Sequence, residues 1–169
     1  MLDGGTQSIA VMNEREVWMK LVIIPCGKMK TWDKNHDVGP QKARDAYTGP
    51  PFVVNRQYAE SRGCDWMILS PKYGFMRPDF VIPGNYDVTF ESSDAISVRE
   101  LKRQVERQGL GNYANVTVLG SAAYVETVRE AFSSTKAKID ASFVGHRIGE
   151  QMGMIKKLLR EESGQSRHA

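Results

Sequence analysis

Lys20-Leu21-Val22-Ile23-Ile24-Pro25-Cys26-Gly27-Lys28-Met29-Lys30 is the stretch on which the fold turns. Its four consecutive apolar residues, three of them β-branched, are the pattern of a strand buried on both faces. Pro25 ends the strand, and Gly27 is expected to allow a tight turn. Two lysines then alternate beside that glycine, so backbone N–H groups and ammonium groups converge where the chain leaves the strand. An anion, a phosphate above all, is the natural guest of such a cradle. The Gly-x-x-x-x-Gly-Lys-Ser/Thr spacing of a P-loop is absent.

Outward from that strand the chain alternates. Residues 31–39 read as a polar loop, and a helical segment begins near Gln41. Gly49-Pro50-Pro51 interrupts it, and Thr48 or Gly49 caps a second helix that carries Phe52, Tyr58 and Ala59 and stops near Gly63. Asp65-Trp66-Met67-Ile68-Leu69-Ser70 is a second buried strand. Residues 71–90 hold Pro71, Pro78 and Pro83 with Gly74 and Gly84, and read as a long irregular segment of the kind that tends to be functional. Val98, Leu101 and Val105 mark a helix ended by Gly109 and Gly111. Val116-Thr117-Val118-Leu119 is a third strand, and Ser121 caps a helix whose inner face is Ala122, Val125, Val128 and Phe132. A short fourth strand at residues 136–140 and a closing helix striped by Ile148, Met152, Ile155 and Leu159 complete the order. Strands alternating with helices imply α/β architecture: a mostly parallel sheet of about four strands covered on both faces. The expected organisation is one domain over residues 19–160. A flexible leader or cap precedes it at residues 1–18, and a disordered polar tail follows at residues 161–169.

Bulk properties narrow the class. The chain has 169 residues, 41% hydrophobic and 25% charged, which suits one well-cored domain and argues against wholesale disorder. No apolar run is long enough to span a membrane, and the N-terminal stretch lacks a signal peptide's basic and apolar regions. The two cysteines, Cys26 and Cys64, make no disulfide framework, and a reducing cytoplasm is the expected address. Net charge is only +3, but from Lys20 to Asp79 ten Lys or Arg face six Asp or Glu, an excess suited to phosphate groups.

In open parallel sheets ligands bind beyond the carboxyl ends of the strands. That rule gathers Cys26, Gly27, Lys28 and Lys30, then Ser70 to Gly74, Gly120-Ser121, and whatever follows Asp140. Cys26 reads either as a nucleophile with neighbouring lysines or as a small residue filling the strand end. Ser70-Pro71-Lys72-Tyr73-Gly74 offers a donor, a charge and a stacking face, the mixture that holds a nucleobase, or else a loop anchored by a buried tyrosine. Asp87, in Asn85-Tyr86-Asp87-Val88-Thr89, is either a carboxylate placed for chemistry or the cap of a turn. Gly120-Ser121 opens a helix beside the third strand, with Tyr124 as core or ligand. Arg147 is a further phosphate candidate beside His146. Asp33, His36, Asp37 and Asp45 lack zinc-ligand spacing, so no metal is expected.

Pro25-Cys26-Gly27-Lys28-x-Lys30, Tyr47-Thr48-Gly49, Ser70-x-Lys72-Tyr73-Gly74 and Tyr86-Asp87-x-Thr89, in that order, resemble the DUF6884 family of small bacterial and phage proteins. The resemblance covers about residues 19–90 well and the rest to about 155 more loosely. Pro25-Cys26-x-x-x-Lys30 is also similar to the start of a motif in the archaeosine synthase catalytic domain, which works on a 7-deazaguanine base. That motif continues Pro-Tyr and later has Ser and His, whereas Thr31-Trp32 and Asn35 stand here. The resemblance implies a uracil-DNA-glycosylase-like three-layer α/β/α fold and a nucleobase-related site, for example a DNA glycosylase acting on modified bases in phage defence. In that reading Lys28, Lys30 and Arg147 bind phosphate, Tyr47 and Tyr73 pack against the base, Ser70 hydrogen-bonds it, and Asp87 orients water. No cofactor is called for. Two alternatives share the same residues: an enzyme acting on free nucleotides or nucleosides, and a non-catalytic module binding nucleotide or DNA.

Overall fold

The computed structural model describes residues 19–166; the expected leader at residues 1–18 lies outside them. Strand β1 (Lys20–Pro25) is the centre of a five-stranded sheet of order β4-β3-β1-β6-β7. Its partners are β3 (Asp65–Ser70) and β6 (Asn115–Val118), both parallel to it, with Ile23 opposite Met67 on one side and Val118 on the other. The edge strand β7 (Lys138–Asp140) continues the parallel run beside β6. These are the four strands expected, three from apolar runs and the edge strand from the short stretch at residues 136–140.

The fifth strand, β4 (Gly74–Met76), is antiparallel to β3 and lies inside the segment read as irregular. Its sequence signal was three residues long, too short for a periodicity to register. The hairpin closes because Gly74 takes φ +73°, and the Gln104 side chain sits where a Cβ would be. Gln104 accepts from Phe75 N and donates to Tyr73 O, so one carboxamide locks the turn from the opposite helix layer. A second correction falls nearby: β2 (Gln41–Lys42) pairs antiparallel with β5 (Val81–Ile82), a small separate sheet where a helix start and a loop were expected. The α-helices among the described residues are α1 (Thr31–Lys34), α2 (Ala43–Ala46), α3 (Pro50–Ser61), α4 (Val98–Arg107), α5 (Ala122–Ala131) and α6 (Ile148–Ser166). Helix α1 lies within the stretch read as a polar loop. Helix α6 runs to Ser166, well into the segment read as a disordered tail.

Alternation along β1 builds two cores. Val22 and Ile24 pack on one face with Phe52 and Ala59 of α3 and Ile155 of α6. Leu21 and Ile23 pack on the other with Leu101 and Val105 of α4 and Val125 and Val128 of α5. All four β1 side chains are at most 3% exposed, which is why the run carries no polar alternation. The result is a three-layer α/β/α protein. Among the described residues no helix is long and apolar enough to cross a membrane.

From β1 the chain crosses through α3 to β3 on one side. It later returns past β1 to β6 and, through α5, to β7 on the other. The carboxyl ends of β1 and β6 therefore flank the topological switch point, where connections diverge to opposite faces and a crevice opens. The two loops there touch closely. Gly120 has φ +116°, and a Cβ on it would stand 3.0 Å from Pro25 Cγ.

Candidate functional site

A cleft of about 500 Å3 opens at this point, between the loop after β1, the start of α5 and the irregular segment after β5. Cys26, Lys28, Lys30, Tyr86, Asp87 and Tyr124 line it. The lysine loop is pinned from below: Lys30 forms a β-bridge with Tyr47, and Thr48 N donates to Met29 O. Gly27, expected to allow a tight turn, has no positive φ. It is needed for space, because its Cβ would stand 3.3 Å from Tyr47 Cβ.

Lys30 is only 6% exposed, yet among the described residues no carboxylate pairs with it. Its Nζ donates to Lys28 O at 3.0 Å and lies 4.6 Å from the centre of the Tyr86 ring. Burying an ammonium costs free energy unless it is paired, and here one carbonyl and one aromatic face compensate it. An anionic group entering the cleft would complete its shell.

Tyr86 stands on a buried hydroxyl network. Ser70 Oγ, fully buried, accepts from Lys72 N and Tyr73 N, which fills both lone pairs. Its own proton then points to Tyr86 Oη at 3.0 Å, and Tyr86 Oη also bonds Tyr47 Oη. Tyr73 packs edge-on against Tyr86 with ring centres 5.3 Å apart, and Phe80 stands behind Tyr73. Across the cleft, Cys26 Sγ is 3.7 Å from Tyr124 Oη, and Phe90 packs on Tyr124.

Burial pushes the Cys26 thiol above its ordinary value, against the pull of the Tyr124 hydrogen bond and the Lys30 charge. At neutral pH it is a protonated, hydrogen-bonded thiol and a poor nucleophile. Burial likewise raises the phenols of Tyr47, Tyr86 and Tyr124. Folding therefore holds protons that the unfolded chain would release above the ordinary values of 9.0 for the thiol and 10.0 for the phenols. Their stabilising contribution is complete below that range and is lost as pH rises, by up to ~1.4 kcal/mol per pH unit for each group. Urea unfolding at about pH 10.5 is expected to give a clearly lower stability than at neutral pH. A Tyr47→Phe/Tyr86→Phe protein should show a flatter loss, and an unchanged slope would contradict this account.

The structure thus brings together Cys26, Gly27, Lys28, Lys30, Tyr86, Asp87 and Ser121. Asp87 is exposed and makes no hydrogen bond or ion pair among the described residues, so it caps no turn. Ser121 holds the N-cap position of α5 without a side-chain capping bond. Asp33 is engaged in such a role: it accepts from Lys30 N at 2.7 Å. Other expected site residues stand apart. Ser70, Tyr47 and Tyr73 lie behind Tyr86 rather than in the cleft, and Ser70 has no hydrogen-bonding capacity left for a ligand. Gly74 serves the hairpin. Lys72 is exposed with its Nζ 5.5 Å from the Tyr86 ring centre, and Arg147 is exposed and lines no part of the cleft.

Sequence reasoning missed Phe90 and Glu91, which also line the cleft. The Asp87-x-x-x-Glu91 spacing was the available signal. A second cleft of about 440 Å3 shares Cys26, Gly27, Lys28, Ser121 and Tyr124 with the first and extends between α3 and α6; Gly120 lies there. A larger cleft, about 870 Å3, lies towards the opposite end of the sheet, by Lys20, Asn115 and Lys138 at the strand starts. It contains none of the converging groups above, and the smaller pair at the carboxyl ends is the better site.

Fold and site define an open-sheet α/β/α protein with a polar cleft at its topological switch point, floored by a buried lysine and a hydroxyl-braced tyrosine. The chain belongs to the DUF6884 family, a family of unknown function whose model matches residues 21–157. Over 107 residues, 62% of this chain and 71% of the other, it is 42% identical to the uncharacterized protein YfjM of Bacillus subtilis (strain 168). No solved structure matches it.

Proposed function

We propose that this protein hydrolyses an N-glycosidic bond, releasing a nucleobase, a modified one in DNA for example, with the polar cleft holding the sugar and its phosphate. The observation that carries the reading is the placement in one cleft of a carboxylate, Asp87, and a buried ammonium, Lys30, neither of which has an ion-pair partner among the described residues. Such hydrolysis breaks the C1′–N bond and leaves its electron pair on the base, which takes up a proton. Water adds at C1′ and gives up a proton, so the products are the free base and the sugar hemiacetal. Asp87 stabilises the positive charge growing on the sugar and receives the proton of the attacking water. Lys30 and the exposed Lys28 hold the phosphate, and Tyr86 supplies the aromatic wall.

The test is base release. Purified protein is incubated with plain DNA, with DNA carrying hypermodified bases, and with free nucleosides and nucleotides, and the small-molecule fraction is analysed by mass spectrometry. The expected result is a free base with an abasic or hemiacetal product, absent with Asp87→Asn. Release from nucleotides but not from DNA would assign the activity to the monomer pool. Intact substrates throughout would refute the hydrolase reading and leave binding without turnover.

A further inference from the structure

The second cleft differs in character from the first. Its walls are largely apolar, built from Met29, Pro51, Phe52 and Met152, and the ionisable residues that line it are Cys26, Lys28 and Tyr124. Into it faces Asn55, which sits on the buried side of α3 between Phe52 and Ala59 and is 6% exposed. Its carboxamide has no hydrogen-bond partner among the described residues, although its atoms are not sealed into the core. Gln151 on α6 is equally buried and lines the same cleft. Its Nε2 donates to Gly120 O at 3.0 Å and to His146 O at 3.3 Å, which fixes the amide and leaves Oε1 an acceptor without a partner among the described residues.

A carboxamide on the buried side of a helix, open to the cleft and with no protein partner among the described residues, keeps its donor and acceptor free for a guest. We infer that this cleft is a recognition pocket for a neutral, planar nitrogen heterocycle of nucleobase type, read by the Asn55 carboxamide. A carboxamide presents a donor and an acceptor side by side, matching the adjacent acceptor and donor on a base edge. Apolar walls suit the faces of a flat ring, and the volume lies within the range of small-molecule sites. No Asp or Glu lines it, and its one lining ammonium, Lys28, stands on the wall shared with the polar cleft, so the apolar remainder favours a neutral guest. The pocket rests on the glycosidic reading for what is joined to the heterocycle: base in the apolar cleft, sugar and phosphate in the polar one, and the bond between them over the shared wall at Cys26, Gly27 and Lys28.

Binding of adenine, guanine, hypoxanthine, cytosine and uracil to the full chain, by calorimetry, tests the pocket separately from the chemistry. Indole, flat but lacking an adjacent donor and acceptor, is the control. At least one base is expected to bind the parent and Asp87→Asn alike, and Asn55→Leu about tenfold or more weakly. Indole should not distinguish the parent from Asn55→Leu, and Asn55→Leu should melt no lower than the parent, since the amide it removes is unpartnered. Absence of binding to any of the five bases, equal affinity in Asn55→Leu, or a steep fall in its melting temperature would overturn the pocket. A base bound in this way by a protein that cleaves no glycoside supports the pocket and removes the hydrolase. Cleavage with unchanged kcat/KM in Asn55→Leu does the reverse.

Discussion

Asp87→Asn is expected to fold as the parent does and to release base at least about 100-fold more slowly, the scale for losing one preorganised electrostatic group. The side chain is exposed and unbonded among the described residues, so its replacement by an amide of the same shape should move stability by no more than about 0.5 kcal/mol. What changes is charge. The amide neither opposes a developing cation at C1′ nor accepts a proton from water. Single-turnover release rates, with melting temperatures measured on the same preparations, separate the two effects. A variant retaining the parent rate within a few-fold would remove Asp87 from the chemistry. Glu91, in the same cleft, would then be the carboxylate to test.

Lys30→Met should produce a contrasting pair of results: kcat/KM lowered about 100-fold or more, and a melting temperature that does not fall. The parent pays to desolvate an ammonium that lacks a carboxylate, recovering part through Lys28 O and the Tyr86 ring. Methionine keeps the apolar stem and leaves untouched the backbone bridge to Tyr47, so the loop retains its path. A protein of this size shifts by about 2–4 °C for each kcal/mol, and any rise should be of that order. Activity falls because the anion of the substrate loses its buried partner. A Lys30→Met protein that melts far below the parent would make Lys30 a structural residue instead.

The central strands were legible because burial on both faces leaves a run such as Leu21-Val22-Ile23-Ile24 with no other reading, and two similar runs followed with helices between them. Strand β4 was not legible. Its pairing depends on Gly74 and on Gln104, thirty positions later, and neither advertises the contact locally. Within the site, the loop after β1 was legible from the rule for parallel sheets, whereas Asp87 was singled out only as a carboxylate at the end of a long irregular segment. The division of labour among the aromatic residues was not legible. Tyr47, Tyr73 and Tyr86 look equivalent in sequence, and only the hydroxyl network over Ser70 decides that Tyr86 faces the cleft while the other two support it. Asn55 had a signal that passed unread: a carboxamide on the apolar stripe of α3, three positions after Phe52 and four before Ala59.

The wall shared by the two clefts has a consequence for how such a protein diversifies. Its apex at Cys26, Gly27 and Lys28 is common property, so a substitution there disturbs both compartments and has little freedom to drift. The far sides are separately owned. Asn55 and Gln151 belong to helices that touch only the apolar compartment, and Asp87 to a segment that touches only the polar one. Descendants can thus exchange one guest for another by altering two helix positions while inheriting the reactive half unchanged, and variation among relatives should concentrate on α3 and α6.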